Sequence, residues 1–104
     1  MSLMGLFNFG KKKFKEPDGT AVFTTQFVVV DKKDITVVYH DIDDGAWQFF
    51  SNDHFENSEQ VAMMVGLGEI IKMDKSLLEL ANMPRGHYAH REAKGTPWTV
   101  EIRK

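Results

Sequence analysis

Apolar and polar positions alternate along most of the chain, and the period changes once, near its middle. Thr20 to Val30 is rich in Val, Phe and Thr; alternation sets Phe23, Phe27 and Val29 on one face and Val22, Val28 and Val30 on the other, as in a central strand. Ile35 to His40 predicts a second strand, with Ile35, Val37 and Tyr39 on a common face. Ala46 to Ser51 predicts a third, in which Trp47 and Phe49 oppose Gln48 and Phe50. Asp31-Lys32-Lys33-Asp34 and Asp43-Asp44-Gly45 connect them, and Asp and Gly tolerate the positive φ of a tight turn. Connections this short predict an antiparallel meander, because a parallel crossover needs about a dozen residues.

After Asn57 the spacing becomes helical. Ser58 is placed to cap a helix carrying Glu59 in its first turn and Val61, Met64 and Val65 on one side. Gly66 and Gly68 interrupt it, so Leu67, Ile70 and Ile71 belong either to a second short helix or to an irregular buried segment. Asp74 caps a further turn with an apolar stripe of Leu77, Leu80 and Ala81, which Met83-Pro84-Arg85-Gly86 ends. His87 to Glu92 and Trp98 to Arg103 predict a final hairpin around Lys94-Gly95-Thr96-Pro97, and Trp98, Val100 and Ile102 give the clearest half-buried pattern in the chain. The sum is an α+β domain: an antiparallel sheet of about five strands with roughly two or three short helices packed on one face.

With 104 residues, 42% of them hydrophobic, the chain fits one core. The absence of cysteine removes disulfides, thiol nucleophiles and thiolate metal sites. No apolar run approaches the ~20 residues of a membrane span, so stable membrane association is not expected and a cytoplasmic location is. The net charge of −2 conceals a polarity along the chain. Lys11, Lys12, Lys13 and Lys15 precede every acidic residue, which leaves 9 basic against 15 acidic groups, or −6, in the remainder. Residues 1–16 accordingly read as a flexible basic arm whose deletion should leave the fold intact, and residues 17–104 as the single domain. Between Lys33 and Lys72 there is no Lys or Arg, but there are eight acids. A charged partner of this central region should be basic, which disfavours nucleic acid.

Candidate chemistry is sparse. His87 and His90 point to opposite faces of a strand and have no accompanying ligand motif. Asp41-Ile42-Asp43-Asp44-Gly45 departs from a calcium loop, with its glycine one place early and Asn52 where a bidentate Glu should close it. Ser51, Ser58 and Ser76 lie in no nucleophile-elbow context, and Gly66-Leu67-Gly68 lacks the Lys-Ser/Thr of a phosphate cradle. Catalysis, cofactor and bound metal are therefore not expected.

The blocks Asp43-Asp44-Gly45-Ala46-Trp47-Gln48-Phe49-Phe50-Ser51, Leu67-Gly68-Glu69-Ile70-Ile71-Lys72-Met73-Asp74-Lys75-Ser76-Leu77 and Met83-Pro84-Arg85-Gly86-His87-Tyr88-Ala89-His90-Arg91 resemble a bacterial family first described as a domain of unknown function and later named immunity protein thirty-three, of polymorphic toxin systems. The likeness spans about residues 24 to 98 and rests on short structural motifs. Ala46 separates Gly45 from Trp47, and Lys75 stands where the family tends to have Pro. The resemblance implies a small cytoplasmic protein that neutralises a toxin, and it carries over no catalytic residues.

Two readings of function follow. In the first, an acidic surface of Asp41, Asp43, Asp44, Asp53, Glu56 and Glu59, with Trp47 as an anchor or as core, binds a basic protein such as a toxin. In the second, Trp47, Phe49 and Tyr88 line a pocket for a small ligand in an accessory domain.

Overall fold

The computed structural model describes residues 13–104, which form a six-stranded mixed sheet with four short helices. In chain order these are β1 (Ala21–Thr25), α1 (Gln26–Val29), β2 (Val37–His40), β3 (Trp47–Phe50), α2 (Ser58–Val61), β4 (Ala62–Gly66), α3 (Leu67–Met73), a 3-10 helix (Lys75–Leu80), β5 (His87–His90) and β6 (Thr99–Ile102). The sheet order is β4-β1-β3-β2-β5-β6. All neighbouring pairs are antiparallel except β1 with β3, which run parallel with Phe23 beside Gln48. The α+β class is thus as expected, with one more strand and one parallel pair.

The expected meander is corrected at its first step. The chain leaves the sheet after Thr25, because Gln26–Val29 closes a helical turn that carries Val28 into the core. That detour lets β1 pass to the far side of β3, away from β2. The β2–β3 hairpin is present in the expected place, with Val38 opposite Phe49 and His40 opposite Trp47. Within β2, Val38 is the core residue; Val37 and Tyr39 face the other way, while Ile35 reaches the core from ahead of the strand.

The helix expected from Ser58 lasts one turn, capped by Asn57, whose side chain accepts from the Glu59 N–H at 3.0 Å. Ala62–Gly66 then pairs along its whole length with β1. Short apolar runs fit both periods, and here the ladder with β1 decides. Leu67, Ile70 and Ile71 do form a second short helix, α3. Its start is pressed onto the turn after Pro17: the Gly68 N–H donates to the Asp18 carbonyl at 2.9 Å, and a Cβ on Gly68 would sit 2.8 Å from the Asp18 Cβ.

One face of the sheet, carrying Val22, Phe49, Trp47, Val38 and Ala89, packs under Leu67 and Ile70 of α3 and Leu77 and Leu80 of the 3-10 helix. All of these are buried, and they form the single core cluster among the described residues. Phe14 belongs to it, 6% exposed and edge-on to Trp47 with ring centroids 4.8 Å apart. The arm boundary expected at residue 16 therefore falls too late: Phe14 and Glu16 are part of the domain, while residues 1–12 lie outside the described residues. The half-buried pattern expected for the last strand is also corrected. Every residue of β6 is exposed, because β6 is the sheet edge and the helical layer does not extend over Val100 and Ile102.

Candidate functional site

The opposite face of the sheet is covered by neither α3 nor the 3-10 helix; only the single turn α2 reaches it, at one end. Cross-strand register sets Met64, Phe23, Gln48, Tyr39, Tyr88 and Glu101 side by side across all six strands. Phe50 and Val37 continue the same face, since residues two apart on a strand point the same way. Phe23 is 40% and Met64 60% exposed. Aromatic rings run across this surface from Phe55 to Phe50, Tyr39, Tyr88 and His90, with successive centroids 5.6 to 6.4 Å apart. Such offset and tilted contacts hold each ring in place. The Arg103 guanidinium lies 4.3 Å over the Tyr39 ring, and His90 Nε2 pairs with Glu101 at 2.5 Å.

At the β1–β3 end this surface deepens into a groove of about 410 Å³, walled by Phe23, Phe50, Phe55, Val61 and Ala62. Phe55 forms the outer wall because the segment after β3 folds back, stacking it on Phe27 at 6.3 Å. Thr25 lies at the groove with its hydroxyl buried and without a hydrogen-bond partner. An orphaned buried hydroxyl costs about 1–3 kcal/mol.

The six expected acidic residues do not form one surface. Asp41, Asp43 and Asp44 occupy the β2–β3 turn, and Asp53, Glu56 and Glu59 follow the other end of β3. Two of the turn carboxylates serve the backbone: Asp41 accepts from the Asp43 N–H at 2.8 Å and Asp44 from the Ala46 N–H at 2.9 Å. These side-chain turns, with Gly45 at φ 73°, account for the Asp-rich sequence without a ligand. Asp53 accepts from the Ser51 hydroxyl at 2.7 Å, whereas Glu56 and Glu59 are exposed. Those last three are close in sequence to Phe55 and Ser58, which line the groove, but do not line it themselves.

Trp47 is 2% exposed and lies in the core, so of the two roles weighed for it the packing one is observed. Its indole N–H donates to Glu16 at 3.1 Å and its ring stacks on His40 at 3.8 Å. The pocket expected from Trp47, Phe49 and Tyr88 is not formed, because Tyr88 is on the face opposite the other two. His87 and His90 alternate on β5 as expected. Among the described residues, no three His, Cys, Asp or Glu come close enough to hold a metal ion, and no helix is long and apolar enough to cross a membrane.

Sequence reasoning missed Phe23, Phe55 and Thr25 as groove residues. Apolar residues on both faces of this segment imply a central strand, and β1 does lie between β4 and β3, but its outward Phe23 stays 40% exposed. Comparison with protein-family models, with curated proteins and with solved structures finds no match.

Proposed function

We propose that this chain is a non-catalytic protein-binding domain that captures a basic partner on the uncovered face of its sheet, as an inhibitor of that partner. The observation that carries this reading is the groove at Phe23, Phe50 and Phe55, apolar in its walls, together with Asp53, Glu56 and Glu59 in the same chain segment as its lining residues Phe55 and Ser58. No Lys or Arg lies between Lys33 and Lys72, an interval that holds eight acidic residues, so this part of the chain favours the approach of a cation. An apolar side chain of the partner fills the groove, and Lys or Arg residues flanking it meet the carboxylates of the Asp53–Glu59 segment. A desolvated aromatic centre with a charged rim is the usual division between affinity and steering. The resemblance to the immunity family points the same way, toward a toxin as the basic partner and the cytoplasm as the setting.

The test is photo-crosslinking in the native cell, with the crosslinker at Phe23 in one variant and at Glu79 on the helical side in another. The reading requires one dominant adduct from position 23, absent from position 79, whose identified protein is basic. Equal labelling from both positions, or an acidic protein from position 23, contradicts it.

A further inference from the structure

On the other side of the molecule, where the basic segment enters the domain, lies a second and larger cavity of about 570 Å³. Lys15, Glu16, His40, Trp47, Met83 and Arg85 line it. Its geometry is fixed from several directions. The His40 ring is stacked nearly parallel on the buried Trp47, at 13° and 3.8 Å. Its Nδ1 is 2.7 Å from the Met83 carbonyl oxygen, which can only accept, so Nδ1 carries the proton. A histidine held in this way by a backbone carbonyl presents Nε2 as the nitrogen left to meet a ligand. Glu16 uses Oε2 to accept from the Trp47 indole, which ties the entering segment to the cavity wall.

Two cations complete the lining, and among the described residues neither makes an ion pair. Arg85 is positioned by the β2–β3 turn: a Cβ on Gly45 would lie 2.5 Å from its Nη2, so the guanidinium rests directly on the glycine backbone. Lys15 is held between Phe14, which is buried, and Glu16, which is anchored to the indole. Against the single Glu16 carboxylate, Lys15 and Arg85 leave the lining with one positive charge in excess beside an oriented imidazole, in a chain whose residues from Glu16 onward carry a net −6.

We infer that this cavity binds a small molecule bearing an oxyanion, with Arg85 and Lys15 meeting the anionic group and His40 Nε2 accepting from a donor on the same molecule. Carboxylate and phosphate share the required chemistry, a planar or tetrahedral set of acceptors that a guanidinium engages through two N–H groups. The inference is independent of the sheet-face reading, since the two sites are on opposite faces and share no residue.

The Trp47 indole N–H signal reports on the site, because its acceptor Glu16 lines the cavity. Titrating the intact protein with sodium phosphate and, separately, sodium acetate should shift that NMR signal and the His40 ring nitrogens to saturation. Sodium chloride at matched ionic strength should give no saturating change. Arg85→Gln and Lys15→Gln, both at exposed positions, should keep the native spectrum and each weaken saturation at least fivefold. Saturation by one oxyanion alone identifies the class. Linear drifts shared by all three salts, or half-saturation unchanged in both variants, would overturn the inference.

Discussion

The guanidinium of Arg91 meets the carboxylate of Asp74 in the interior, and around that pair four separate segments of the chain are joined. Arg91 also donates from Nε and Nη2 to the Ile35 carbonyl at 3.0 and 2.9 Å and from Nη1 to the Ser76 hydroxyl at 3.0 Å, while its guanidinium lies 4.0 Å over the Trp98 ring. Asp74 accepts from the Ser76 N–H at 3.0 Å with its other oxygen, capping the 3-10 helix. A buried ion pair carries a large desolvation cost, and only this degree of satisfaction offsets it. Arg91→Met should therefore destabilise the fold by ~3 kcal/mol or more, because it leaves a carboxylate buried and unpaired. Chemical denaturation of that variant, beside the milder Asp74→Asn, measures the cost.

The same pair sets an acid limit. Burial pushes the Asp74 carboxyl up, but the hydrogen bonds from Arg91 and Ser76, with the Arg91 charge, outweigh it and hold the group below its usual range. With the folded value depressed, the unfolded chain takes up the proton more readily, so stability is complete above the ordinary carboxylate pKa and falls as pH drops through the folded one. Unfolding free energy measured from pH 7 downward should decline more steeply in the native protein than in Asp74→Asn. Parallel curves would show that other carboxyl groups govern acid unfolding.

Removal of residues 1–16 takes away Phe14 and the Glu16 acceptor of Trp47. Loss of a buried phenylalanine costs about 3–5 kcal/mol, a large part of the stability of a domain this size. Phe14→Ala alone should lower the melting temperature by roughly ten degrees or more. A shift within a few degrees would mean that the core closes without this ring.

Gly68 and Gly19 make an internal comparison at one contact. Gly68→Ala drives a methyl into the Asp18 side chain and the turn behind it, and should cost ~1–2 kcal/mol. Gly19→Ala meets nothing within 4 Å and should be neutral or slightly stabilising. Equal effects in thermal melts would mean that the β4–α3 junction has slack.

These contacts show how far the sequence alone could lead. Trp47 and Phe49 against Gln48 and Phe50, the Asp74 cap and the Leu77–Leu80 stripe were legible because each is a local pattern with one physical reading. The place of β1 was not: its pairing with β3 depends on a helical turn at Gln26–Val29 that β-branched and aromatic residues disguise as strand. Ala62–Gly66 was hidden for the converse reason, since Val61, Met64 and Val65 match a helical period as well as a strand. Phe14 was obscured by the lysines around it. The groove required knowing which sheet face the helices leave open, and Phe55 joins it only through a loop that folds back.

The most direct test of the central claim is the kinetics of binding between this protein and the purified partner crosslinked at Phe23, followed across a salt series for three folded variants. Phe23→Ser should speed dissociation at least tenfold, an anchor loss of about 1.4 kcal/mol or more, with little change in association. Glu56→Lys/Glu59→Lys should slow association and flatten its dependence on salt, because exposed charges steer encounter within a screening length of ~8 Å. Asp43→Lys/Asp44→Lys, at the far end of β3, should do neither. If the turn variant slows association as much as the Glu56→Lys/Glu59→Lys variant, or Phe23→Ser dissociates at the native rate, the uncovered sheet face is not where the partner binds.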